Sequence, residues 1–356
     1  MRRTGIGVCS LFSLWVGISL LAISAIGVVG SASAQPSPEA GFPRFSPETF
    51  VSIQSLALGE GQTIYAASFG KGIFKSQDGG KAWQPVNDGL TDPFVYVLMV
   101  GADKAIYAGT LRGGVFRTRD GGKSWVTVNA GLDRLETHVL MSHQGILYAG
   151  TGSGVYRSKD GGERWTADNE GLSNLLVRAL AVDAKGTMYA GTTGMGIYRK
   201  LAGSSQWIRI TASQLSHPRD RLPENFVRVL AVDEVGDLYA GTADNGVYVS
   251  GDRGESWRAF SNGLENASVR DMVIGGSSWF VGTGLGMYRS LDRGKSWAPI
   301  NHGLTERSIQ TFVVSKGGTL YVGTSGGVFK SDDAGANWTS MNQGIGTSRK
   351  SMGPTH

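Results

Sequence analysis

Ser76-Gln77-Asp78-Gly79-Gly80-Lys81-Ala82-Trp83, SQDGGKAW, decides the fold, because the chain repeats it six more times. TRDGGKSW ends at Trp125, SKDGGERW at Trp165, KLAGSSQW at Trp207, SGDRGESW at Trp257, SLDRGKSW at Trp297 and SDDAGANW at Trp338. Successive tryptophans lie 42, 40, 42, 50, 40 and 41 residues apart. The shared pattern is S/T-x-D-x-G-x-x-W. Its aspartates are Asp78, Asp120, Asp160, Asp252, Asp292 and Asp333, and the fourth copy has Ala202 instead.

Each box sits in a longer repeat. Upstream lies a YAGT-like segment followed by G-V/I/M-Y/F, as in YAGTLRGGVF and YVGTSGGVF. Further upstream is an apolar run such as VRALAVD or VRVLAVD, and most copies close on N-x-G-L. Four short segments with period-2 alternation, rich in Val, Tyr, Phe and Thr, read as four strands. Four strands in about 42 residues are the spacing of one propeller blade. A lone four-stranded sheet leaves its faces bare, whereas radial stacking buries them. The sequence therefore predicts an all-β, seven-bladed β-propeller of four-stranded blades over residues 50–345. The 54 glycines, about 15% of 356 residues and roughly twice the usual share, fit turn chemistry copied seven times. The length alone would suggest two or three domains, but the period outweighs it.

The box has a local reading. Its carboxylate is placed to accept backbone N–H groups of the turn between the third and fourth strands, and its Trp to seal the hairpin. One acid per repeat is a poor calcium site, since calcium takes six to eight oxygens. No metal or cofactor is implied. The degraded fourth copy is expected to be the loosest hairpin.

The ends differ from the repeats. A basic start, MRRTG, leads into an uncharged run from Ile6 to Gly30 and then Ala32-Ser33-Ala34. These are the parts of a secretory signal peptide over 1–34, cleaved after Ala34. An uncleaved anchor is the alternative, because the run is about 25 residues and long enough to span a bilayer. Residues 35–49 read as a linker and 346–356 as a flexible tail. Cleavage would remove Cys9, the sole cysteine, leaving neither disulfides nor thiol chemistry. It would also reduce 34 basic residues to 32 against 29 acidic, or 32 − 29 = +3. That excess is too small to suggest nucleic acid. The expectation is an exported monomer, periplasmic or extracellular, with no membrane contact after cleavage.

SQDGGKAW and its fellows resemble the Asp-box, or bacterial neuraminidase repeat, of the sialidase-like propeller superfamily. Together with LYAGT, GGVYRS, NxGL and VRALAVD, the chain resembles secreted BNR-repeat proteins grouped with photosystem II stability/assembly-factor-like and sortilin-like propellers. The resemblance covers nearly the whole chain after residue 34. It implies the fold but leaves activity open, since such propellers include glycosidases, assembly factors and receptors.

By analogy with other propellers, ligands are expected where the innermost strands begin. Counting thirteen residues from a box Trp into the next innermost strand gives Tyr96, His138, Arg178, Arg270 and Gln310; alignment adds Gln54 and Arg228. These seven should ring one channel mouth, with Arg178, Arg228 and Arg270 on adjacent blades. Converging guanidiniums suit a carboxylate, sulfate or phosphate. Pairing with acids such as Asp271 or Glu224 is the alternative, and His138 also reads as a rim histidine. Eight extra residues before Arg228 add a loop with His217, Arg219, Asp220, Arg221 and Glu224, stiffened by Pro218 and Pro223. Such a loop suits a site or a tolerated surface insertion.

Two functions fit. One is a protein-interaction or assembly scaffold that takes a protein partner, an acidic glycan or another anionic ligand. The other is a sialidase-like glycoside hydrolase, for which Tyr96 would need a partner among Glu136, Asp220 and Glu224. The resemblance argues against catalysis, because sialidase propellers have six blades and xyloglucanase-like enzymes pair two propellers. FPRF at Phe42–Phe45 matches the sialidase F/Y-R-I-P segment only loosely. Loops such as TGSG and TSGG are also too short to wall a deep glycan cleft.

Overall fold

A computed structural model describes residues 51–210, 222 and 226–346. They form seven separate four-stranded sheets, each built from four consecutive antiparallel strands. The chain is a seven-bladed β-propeller. The innermost strands are Ile53–Leu58, Val95–Val100, Thr137–His143, Val177–Val182, Val227–Val232, Val269–Val273 and Ile309–Val314.

The YAGT-like segments form the second strand of each blade, from Ile64–Ser68 to Leu320–Thr324. Every residue of six of them is buried, and in the third blade only Ile146 is partly exposed. A strand covered on both faces reads as a run of apolar and small residues. The small residue has its own cause. A Cβ on Gly323 would lie 2.7 Å from Ile53 Cγ2, so the glycine lets blade 1 seat against blade 7.

The box turns hold themselves together. The Ser76 hydroxyl donates to Asp78 Oδ1 at 2.7 Å and accepts the Gly80 N–H at 2.8 Å, while Asp78 Oδ1 accepts the Ala82 N–H at 3.0 Å. The same bonds recur around Asp120, Asp160, Asp252, Asp292 and Asp333. These bonds to the ionised form hold the box carboxyls below their ordinary range.

The box Trp does more than seal its hairpin. Its indole N–H crosses to a carbonyl of the preceding blade: Trp125 to Val86, Trp165 to Val128, Trp207 to Asp168, Trp297 to Phe260 and Trp338 to Ile300. Trp257 instead donates to Gly254 O, within its own turn. Ring closure uses the same bolt, with Trp83 Nε1 donating to Met341 O at 2.7 Å and Trp83 N to Gln343 O at 2.9 Å. Gly344 explains the closing N-x-G. At φ 89° it lies so near Trp83 O that a Cβ would fall 2.1 Å from it. Blades 1 and 7 thus meet face to face among the described residues; Phe42–Phe50 lies outside them.

The fourth box takes another route. Its third and fourth strands pair in the common register, Tyr198 with Arg209, and Trp207 is buried. Lys200 stands where the other boxes have Ser or Thr. Its ammonium reaches Asp168 of the preceding blade at 2.5 and 2.6 Å, with both side chains more than 90% buried. A buried ion pair across the seam occupies the place of the lost Ser–Asp turn.

Candidate functional site

The innermost strands of the seven blades begin on one face, so side chains at equivalent positions meet around the central channel. Gln54, Tyr96, His138, Arg178, Arg228, Arg270 and Gln310 line one cavity of about 410 Å³ there. Thr193, Phe226 and Val227 complete its wall. The five positions counted from the box tryptophans and the two added by alignment, Gln54 and Arg228, are therefore brought together. The loop residues His217, Arg219, Asp220, Arg221 and Glu224 lie outside the described residues.

The three arginines have few partners. Arg178 Nη1 bonds His138 Nδ1 at 3.0 Å, and Arg228 Nη1 reaches Ser268 Oγ at a long 3.5 Å. Arg270 Nε is buried without a hydrogen bond. Among the described residues, none of the three lies within 4.0 Å of a carboxylate. Burial pushes the Arg228 guanidinium below its ordinary basicity, Asp244 offsets part of this, and Arg178 adds to it. Arg270 shifts the same way, through burial and then the charge of Arg228. An anion in the mouth would relieve both effects.

Asp271 is not the partner of Arg270. It turns into the seam between blades 6 and 7, where Oδ2 accepts the Phe312 N–H at 2.9 Å and the Thr311 hydroxyl at 3.1 Å. Full burial pushes its carboxyl up to about 6. Ser55 does the same job between blades 1 and 2, accepting the Leu98 N–H at 2.9 Å.

His138 is neutral. Burial, and then the charge of Arg178, push it down to about 3. Because Arg178 can only donate, Nδ1 accepts and the ring proton sits on Nε2. Nε2 lies 3.0 Å from Glu136 Oε1 but out of line for a hydrogen bond. The contact therefore orients the ring more than it bonds it. Burial raises the Tyr96 phenol above its ordinary range. The Tyr96 ring packs against His138 and Phe69, with centroids 5.1 and 5.5 Å away. This geometry makes Tyr96 a wall of the mouth.

Position counting missed the Phe69 and Phe226 contributions, because neither stands at the mouth position of an innermost strand. A larger groove of about 890 Å³ lies at the outer edge between blades 1 and 2, lined in part by Phe74, Lys75, Val86 and Lys123. Its Lys75 ammonium is committed to Gly121 O at 2.9 Å, and its polar groups do not converge on a point.

No protein-family model matches the chain, and no curated protein matches its sequence. Solved structures match its fold. The extracellular domain of a putative one-component system from B. thetaiotaomicron aligns at TM-score 0.65 and 17% identity, over 79% of this chain and 38% of that one. YCF48 bound to a D1 peptide aligns at TM-score 0.63 and 16% identity, over 80% and 92%. The GH74 xyloglucanase from Xanthomonas campestris aligns at TM-score 0.64 and 15% identity, over 83% and 55%. This chain spans about two-fifths of the length of the B. thetaiotaomicron extracellular domains it matches. Identity this low establishes a shared fold, and chemistry has to be argued from the site.

Proposed function

We propose that this chain is an exported, non-enzymatic propeller that serves as a protein-interaction or assembly scaffold and holds an anionic group of its partner at the channel mouth. The observation that carries this reading is the set Arg178, Arg228 and Arg270, which line one cavity with no carboxylate in ion-pair range among the described residues. Planar forks of fixed charge hold a carboxylate, sulfate or phosphate by paired hydrogen bonds. Extracellular propellers and a peptide-bound propeller among the fold neighbours support binding as a use of such a disc. The hydrolase alternative draws on the Asp-box resemblance, on the same three arginines as holders of a substrate carboxylate, and on the GH74 fold likeness.

The test is titration calorimetry with inorganic sulfate, phosphate, acidic peptides and acidic glycans. The wild-type chain is expected to bind at least one of them, with affinity falling as salt rises. The Arg178→Ala/Arg228→Ala variant is expected to lose that binding while remaining folded. Unchanged binding by the double variant removes the mouth from the reading, and turnover of an aryl-glycoside panel by wild type restores the hydrolase.

A further inference from the structure

The rim of the mouth is chemically divided. Two residues before each mouth position stand Phe94, Glu136, Leu176 and Phe226 on blades 2 to 5, but Ser268, Ser308 and Ser52 on blades 6, 7 and 1. The serines are used locally, Ser52 Oγ accepting from Gln54 Nε2 at 2.8 Å and Ser308 Oγ from Gln310 Nε2 at 3.3 Å. On the other arc Leu176 is 43% and Phe226 48% exposed, and Phe69, which follows the second strand of blade 1, is 41% exposed. Phe69 lies 5.0 Å from Phe94 and 5.5 Å from Tyr96, so an aromatic patch runs outward from the mouth over the seam between blades 1 and 2. Phe226 stands beside the arginines in the cavity wall.

Exposed rings contiguous with a charged pocket mark a binding surface. We propose that the partner is a peptide segment in which an acidic side chain lies within two residues of a bulky apolar one. The acid enters among Arg178, Arg228 and Arg270, and the apolar side chain packs on Phe69 or Phe226. This proposal rests on the anion-site reading above. Charge complementarity selects the acid. The ring geometry favours an apolar side chain over a sugar, because interplanar angles of 68°, 41° and 57° make a faceted patch and not a row of flat platforms. The Gln54 and Gln310 amides, each a donor and an acceptor, suit a peptide backbone crossing the remaining arc.

The experiment measures full-length protein against fluorescein-labelled decapeptides with one central Glu, whose neighbours are Phe, Leu or only Gly and Ser. Oligogalacturonate and phosphatidylglycerol vesicles serve as anionic comparators. Peptides carrying Phe or Leu within two positions of Glu are expected to bind about tenfold more tightly than those without. Phe69→Ala and Phe226→Ser are expected between them to erase that advantage, so that the Phe and Leu peptides bind no more tightly than the Gly/Ser peptide to the same variant. Equal affinity for all Glu peptides, or neither variant reducing the advantage, overturns the proposal while the anion site stands. Binding of only the oligosaccharide or only the vesicles also overturns it. If Arg178→Ala/Arg228→Ala leaves peptide binding intact, both readings fall together.

Discussion

The propeller carries repeated charges on both faces and treats them in opposite ways. On the box face, each of the six aspartates is fixed by a hydroxyl and a backbone N–H of its own turn. At the channel mouth, three arginines share one neutral histidine bond and one long serine contact, and a guanidinium nitrogen is buried unbonded. A charge satisfied within its own repeat serves the fold. A charge that the fold leaves unsatisfied is available to a ligand. The comparison predicts that removing box-face or seam charges costs stability, whereas removing mouth arginines costs binding.

The fourth seam is the strongest place to break that rule. Lys200 and Asp168 are both more than 90% buried and ion-paired, and the Lys200 ammonium lies 5.7 Å from the Trp207 ring centroid. Lys200→Ala leaves Asp168 as an unpaired buried carboxylate, which costs about 3–5 kcal/mol. Lys200→Met with Asp168→Val restores an apolar seam of the Gly80–Met341 or Gly122–Val86 kind and is expected to recover most of the loss. Urea midpoints of Lys200→Ala, Asp168→Val and the double variant measure this. A double variant as unstable as the singles would show that the seam depends on something other than the pair.

Asp271 gives the next largest effect and reverses the usual pH sign. Its carboxyl titrates near 6 in the native state against an ordinary 3.8, so the native state binds more protons between those values. Its contribution to stability is therefore full below about pH 4 and is lost as pH rises through 6, up to about 3 kcal/mol at 1.4 kcal/mol per unit. Asp271→Ser, which copies Ser55, keeps an acceptor for the Phe312 N–H and is expected to flatten stability between pH 4 and 7. A variant whose pH–stability curve still falls over that range would place the titration elsewhere.

The period of the box tryptophans disclosed the blades, their number and all seven mouth positions, because each depends on spacing repeated along the chain. What spacing could not disclose was direction. Tyr96, His138, Arg178, Arg270 and Gln310 follow from counting and Gln54 and Arg228 from alignment, whereas Asp271, one residue past Arg270, points into the seam and away from the cavity. The fourth seam left a readable trace. Three residues past each box Trp stand Val86, Val128, Ile210, Phe260, Ile300 and Met341, but Asp168 in the third blade. An acid alone in an apolar register, one blade before a Lys in a Ser/Thr register, is the signature of a paired exchange. The aromatic patch had no such trace, since Phe69 and Phe94 meet only once the loops of two blades are folded together.

The smallest effect tests the box face itself. Asp252 accepts the Ser250 hydroxyl at 2.7 Å, the Ser256 N–H at 2.9 Å and the Ser256 hydroxyl at 2.5 Å. These bonds lower its carboxyl even though burial opposes them, so their contribution is present at neutral pH and is lost as acid protonates the group. The turn is open to water, which takes over part of the bonding when the acid is removed. Asp252→Ala is therefore expected to cost only about 1 kcal/mol. The sharper comparison is with Arg178→Ala/Arg228→Ala measured in the same buffer. That variant removes two full charges yet is expected to leave the urea midpoint at the wild-type value or above it, because like charges are separated and no ion pair among the described residues is broken. If instead the double arginine variant lost more stability than Asp252→Ala, the mouth arginines would belong to the fold, and the distinction between the two faces would collapse.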